Sequence, residues 1–72
     1  MDINLKQLET LIFYQTYKIE RAVSGTGYLP KTAIGVGTFL LDNQGDLDLL
    51  TAKQQVTFMK ILQPLLEANA DD

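Results

Sequence analysis

The residues best able to do chemistry in this chain are carboxylates gathered on one short stretch. Asp42, Gln44, Asp46 and Asp48 alternate along the sequence like the first four oxygen ligands of a calcium loop, because a hard cation wants clustered oxygens. The match ends there, since the glycine is misplaced at Gly45 and Lys53 stands where a bidentate glutamate belongs. A structural turn is expected and no metal site. Two carboxylates can also serve as acid and base when burial separates their pKa values, but these carboxylates sit at a polar turn and on helix surfaces, where they stay solvated. The chain has no His and no Cys, and Ser24 is its only serine. Neither a Ser-His-Asp nor a Cys-His nucleophile can be assembled, and disulfides and the usual zinc ligands are absent with them. Gly25-Thr26-Gly27 begins like a dinucleotide fingerprint, yet it follows a helical pattern instead of a strand and Pro30 takes the place of the third glycine. The expectation is a protein with no catalytic residues and no cofactor, hence not an enzyme.

A second set of residues points to binding. Lys6, Thr10, Phe13, Tyr14, Tyr17 and Arg21 fall within an arc of about 100° on a helical wheel. Rings bury large area at low entropic cost and Arg adds planar hydrogen bonds, so such a face suits a protein partner. Lys6, Phe13, Tyr14, Tyr17 and Arg21 are therefore candidate partner-binding residues. The competing expectation is that Phe13 and Tyr17 pack on a β-hairpin of the same chain or on a second subunit.

The elements that must carry these residues follow from periodicity. Leu5, Leu8, Leu11, Ile12, Ile19, Ala22 and Val23 recur at spacings of three and four, which predicts one helix from Leu5 to Val23, capped by Asp2 or Asn4 and stopped at Gly25. Ser24 to Pro30 reads as a loop, with Leu29 extended ahead of the proline. Ala33 to Leu41 is rich in β-branched and apolar residues and reads as a strand, with Asn43-Gln44-Gly45 as the turn of a hairpin and Gly45 left-handed. In that hairpin Phe39 faces Leu49 and Leu41 faces Leu47, while Gly35 and Gly37 leave a bare patch for close packing. Thr51-Ala52-Lys53-Gln54 is a capping box and opens a second helix, which Pro64 should kink or restart. Ala68 to Asp72 reads as a frayed acidic tail.

The second helix carries Ala52, Val56, Phe58, Met59, Ile61, Leu62, Leu65 and Leu66 over an arc of about 220°, against the 100° or so that one buried face needs. Phe58, Met59, Leu62, Leu65 and Leu66 are accordingly candidate oligomer-interface residues. The fold class expected is α+β over a single domain of residues 1–72: helix, β-hairpin, helix, both helices on one face of a small antiparallel sheet completed by dimerisation.

Composition bounds the rest. With 72 residues, 46% hydrophobic content and a net charge of −3, the chain is far from the signature of disorder. A domain this short has a small core, so pairing with a second copy is the reinforcement left open to it. No apolar run reaches the length of a membrane span, and Met1-Asp2-Ile3-Asn4 is unlike a signal peptide, so a cytoplasmic protein with no membrane partner is expected. The acidic balance argues against nucleic acid. Charge is uneven, however: Lys6, Lys18, Arg21 and Lys31 against Asp2, Glu9 and Glu20 leave +1 on residues 1–36, whereas Lys53 and Lys60 against six carboxylates leave −4 on residues 37–72.

One family likeness cuts across that last expectation. Met1-Asp2 followed by Leu5-Lys6-Gln7-Leu8-Glu9-Thr10 resembles the opening of LysR-type winged helix-turn-helix domains, and Leu49-Leu50-Thr51-Ala52 resembles their wing-to-helix junction. The resemblance implies a small DNA-binding regulator with Lys18, Arg21 and Lys31 at phosphates. The middle of the chain departs from it, lacking a clear turn between two helices and a basic recognition helix. The function expected is a small non-enzymatic interaction or regulatory module acting as a homodimer, with the winged-helix regulator as the alternative.

Overall fold

A computed structural model describes residues 3–70, and the side chains of residues 3–68. Helix α1 spans Leu5–Tyr14 and begins where expected, with the Asn4 side chain accepting the Gln7 N–H at 3.1 Å; Asp2 lies outside the described residues. The single long helix of the sequence reading is in fact two. Gln15 leaves helical geometry at φ −127° and ψ 35°, and α2 spans Thr16–Val23. The apolar stripe explains the break. Leu8, Leu11 and Ile12 are buried on α1, but the next inward positions are Gln15 and Thr16, and apolar burial resumes only at Ile19 and Val23. With nothing apolar to bury at the midpoint, the chain re-aims there, and the Gln15 carbonyl restarts the ladder by accepting the Lys18 N–H at 2.9 Å.

The loop after α2 is tied locally. Gly25 and Gly27 take positive φ, and the Thr26 hydroxyl donates to the Val23 carbonyl at 2.6 Å while accepting the Tyr28 N–H at 3.1 Å.

The expected hairpin is not formed, and with it falls the α+β fold. Among the described residues there is no strand. Pro30–Asp42 is a 13-residue helix, α3, entered through an extended Leu29 with Pro30 in its first turn. A proline there costs nothing, since its missing N–H is one that a helix leaves unpaired and its φ is already helical. Ala33, Val36, Gly37 and Leu40 are the residues that α3 buries, and their spacing of three and four is helical, not alternating. Burial of that stripe against α1, α2 and the helix that follows outweighs the strand preference of Ile34, Val36, Thr38 and Phe39. Gly37 supplies the close approach expected of it: a methyl group in its place would collide with Ile12 Cδ1, lie 2.8 Å from Ile12 Cγ1 and touch Leu62. Gly35 is exposed and has open space around it.

The turn predicted at Asn43-Gln44-Gly45 exists, but it ends a helix instead of joining strands. Gln44 at φ 62° and Gly45 at φ 75° are both left-handed, and the Gly45 N–H returns to the Leu40 carbonyl at 2.7 Å, the six-to-one bond of a Schellman-type ending. Leu47–Leu49 then forms a 3₁₀ turn, with the Asp46 carboxylate accepting the Asp48 N–H. Leu47 and Leu49 therefore pair with no strand.

Helix α4, Ala52–Thr57, opens on the expected capping box: Thr51 Oγ1 accepts the Gln54 N–H at 3.2 Å and Gln54 Oε1 accepts the Thr51 N–H at 2.9 Å. The helix continues through a wide π turn, Phe58–Leu62, into α5, Gln63–Ala70. Pro64 accounts for the wide turn. In an unbroken α-helix its ring would press on the Lys60 carbonyl four residues back, with no N–H to offer it, whereas the π turn lets the Gln63 N–H reach the Phe58 carbonyl and relaxes that crowding. The predicted tail from Ala68 is helical as far as Ala70; Asp71 and Asp72 lie outside the described residues.

The core gathers at α3 and the π turn. Leu8, Leu11, Ile19, Leu40, Phe58 and Leu62 are its largest fully buried side chains. The radius of gyration is 10.9 Å, against about 11 Å for a folded single domain of this length, so one copy closes its core on itself.

Candidate functional site

The aromatic residues remain at the surface, but the break at Gln15 divides them between α1 and α2, so the single helical arc of about 100° is not formed. α1 turns Leu8, Leu11 and Ile12 inward, which leaves Phe13 62% and Tyr14 78% exposed at its C-terminal end. Across the break at Gln15, Ile19 and Val23 turn inward on α2 and leave Tyr17 53% exposed, with Arg21 also exposed one turn later. Lys6 is exposed and Thr10 half-buried, its hydroxyl donating back to the Lys6 carbonyl at 3.0 Å. All five candidate partner-binding residues thus reach the surface, and the chain's own core covers neither Phe13 nor Tyr17.

Two shallow grooves border this face. The first, about 580 Å³, runs between α1 and α3 and is lined by Leu5, Lys6, Glu9, Phe13, Thr38, Leu41 and Asp42. Its apolar floor is Leu5 and Leu41, both half-buried, and its rim carries one cation and two carboxylates. The second, about 400 Å³, lies between α2 and α5 and is lined by Lys18, Arg21, Ala22, Leu65 and Ala68. Both are open clefts, unlike the enclosed pocket that holds a small substrate.

The candidate oligomer-interface residues divide. Phe58, Leu62 and Leu66 are covered inside the chain, Leu65 is half-buried beside Arg21, and Met59 is 61% exposed. α4 presents Val56, 42% exposed, one turn before Met59. The wide apolar arc of the sequence is shared out because α4, the π turn and α5 pack against α1, α2 and α3 together, several walls where a hairpin would have supplied one.

The acidic stretch does not converge. Among the described residues there is no group of three or more side chains placed to hold a metal ion; the Asp46 carboxylate caps the 3₁₀ turn, and Asn43 Nδ2 donates to the Phe39 carbonyl at 2.8 Å. Thr26 of the glycine pair ties its own loop. Of the residues that the winged-helix resemblance places at phosphates, Arg21 and Lys31 are exposed and Lys18 is half-buried. α3 carries Lys31 as its one cation, and Leu47–Leu49 makes a turn where a wing would have its strand.

The groove between α1 and α3 is not legible from the sequence as long as Ala33 to Leu41 reads as a strand. The signal that could have found it is Pro30 followed by apolar residues at 33, 36, 37 and 40. No described helix is long and apolar enough to cross a membrane. No protein-family model matches the chain, and neither a curated protein nor a solved structure matches it either.

Proposed function

We propose that this chain is a non-enzymatic interaction or regulatory module that acts as a homodimer, and that the exposed aromatic residues of α1 and α2 make its contacts, with a second copy at α1 and with a protein partner at α2. The observation that supports the reading is the exposure of Phe13, Tyr14 and Tyr17 on a chain whose core is closed without them. Covering a large apolar side chain is worth about 1.5–3 kcal/mol, so three rings left exposed within five residues offer apolar surface that a second polypeptide gains by covering. Arg21 adds the planar donor group that recurs at the centres of protein interfaces.

The test compares the wild type with a Phe13→Ser/Tyr14→Ser/Tyr17→Ser variant by sedimentation equilibrium. All three side chains are outside the core, so the variant keeps the helical circular-dichroism spectrum. The wild type should show a mass above 8.0 kDa that rises with concentration, and the variant should stay at the monomer mass. A wild type that remains at 8.0 kDa from micromolar to millimolar concentration defeats the homodimer.

A further inference from the structure

Resting on that reading, the geometry points to where the two copies meet: we infer that α1 packs antiparallel on α1 of a second copy across the groove between α1 and α3. Charge selects this occupant. Lys6, Glu9 and Asp42 are all exposed on the rim of one groove. A partner of a single sign would satisfy either the lysine or the carboxylates and bring like charges to the other, which interfaces penalise. A copy of the same face satisfies both.

The register follows from helix dimensions. Lys6 and Glu9 are separated by about 4.5 Å along the axis. A twofold axis midway between them sets Lys6 of each copy opposite Glu9 of the other, with Asp42 lining the same groove. The same register carries Phe13 to within about 4.5 Å, along the axis, of Leu5 on the other copy. A phenyl ring spans that distance, so each Phe13 covers the Leu5 and Leu41 floor of its neighbour. Tyr17 and Arg21, on α2, lie outside the seam. α1 has ten residues, about 15 Å of helix, so the contact falls below the roughly 1,200 Å² of a standard interface. Pairing is accordingly reversible.

Charge exchange tests it. Native mass spectrometry and sedimentation equilibrium are applied to the wild type, to Lys6→Glu, to Glu9→Lys/Asp42→Lys, and to an equal mixture of the two variants, each checked for unchanged helical content. The wild type dimerises, each variant alone dimerises about tenfold more weakly or less, and the mixture forms a heterodimer at wild-type strength because every reversed charge meets its opposite again. A wild-type dimer that is indifferent to both sets of substitutions overturns this seam and leaves the homodimer standing. A chain that is monomeric up to millimolar concentration overturns both.

Discussion

Two glycines two residues apart in α3 face opposite demands. Gly35 has open space around it, so Gly35→Ala gains the helix propensity and unfolded-state entropy that alanine supplies, about 0.5–1 kcal/mol. Gly37 has Ile12 against it, and there the same propensity gain loses to overpacking, so Gly37→Ala should cost about 1–3 kcal/mol. Urea denaturation of the two variants should therefore move the midpoint in opposite directions. Adding Ile12→Val to Gly37→Ala should recover part of the loss, because the two residues share one contact and their effects do not add. Gln44 carries a side chain in the left-handed region, and Gln44→Gly should stabilise the chain by about 1 kcal/mol. Gly45 as a left-handed turn residue and Thr51 with Gln54 as a capping box were both legible from sequence, because each is fixed by bonds within a few residues. Gly37 was legible only as a place of close packing, since the identity of its neighbour is set by tertiary structure.

At the scale of elements, α3 shows where local reading fails. Ala33 to Leu41 is apolar almost throughout, so its periodicity decides little, and Ile34, Val36, Thr38 and two glycines all weigh against a helix. Pro30 at the first helical position weighs the other way, and the partners waiting at Ile12 and Leu62 decide the matter. The break at Gln15 was equally hidden. Leu5 to Val23 has the right spacings on either side of Gln15 and Thr16, and only the loss of apolar side chains at those two positions marks the change of direction. The candidate site was legible as a set of residues for the same reason that its exposure was not: helical spacing groups Phe13, Tyr14 and Tyr17 away from the leucines, but what the remaining elements cover depends on where they pack. The second helical run is anchored by its capping box, so Thr51→Ala should cost about 1 kcal/mol. Gln54→Ala on that background should cost about 0.5–1 kcal/mol more, since Gln54 Oε1 accepts the backbone N–H of residue 51, which alanine keeps. Thermal unfolding followed by circular dichroism reads both.

For the whole molecule, one copy buries Phe58, Ile61 and Leu62 at the π turn and still leaves Phe13, Tyr14 and Tyr17 outside. The excess apolar arc of the second helix was legible in the sequence, but the inference that a second copy must cover it assumed a single hairpin as the only wall. Three helices cover Phe58, Ile61, Leu62 and Leu66 instead, while Val56 and Met59 stay exposed along with the rings of α1 and α2. The account's central claim is that copies of this chain meet through α1 and not through the helix that was richest in apolar residues. Dilution of an isotope-labelled sample, followed by ¹H–¹⁵N correlation spectra, tests that most directly. The predicted result is concentration-dependent shifts confined to Leu5 to Phe13 and to Thr38, Leu41 and Asp42, with Val56, Met59 and Lys60 unmoved. Shifts centred on Val56 and Met59, or spectra that do not change with concentration, would contradict it.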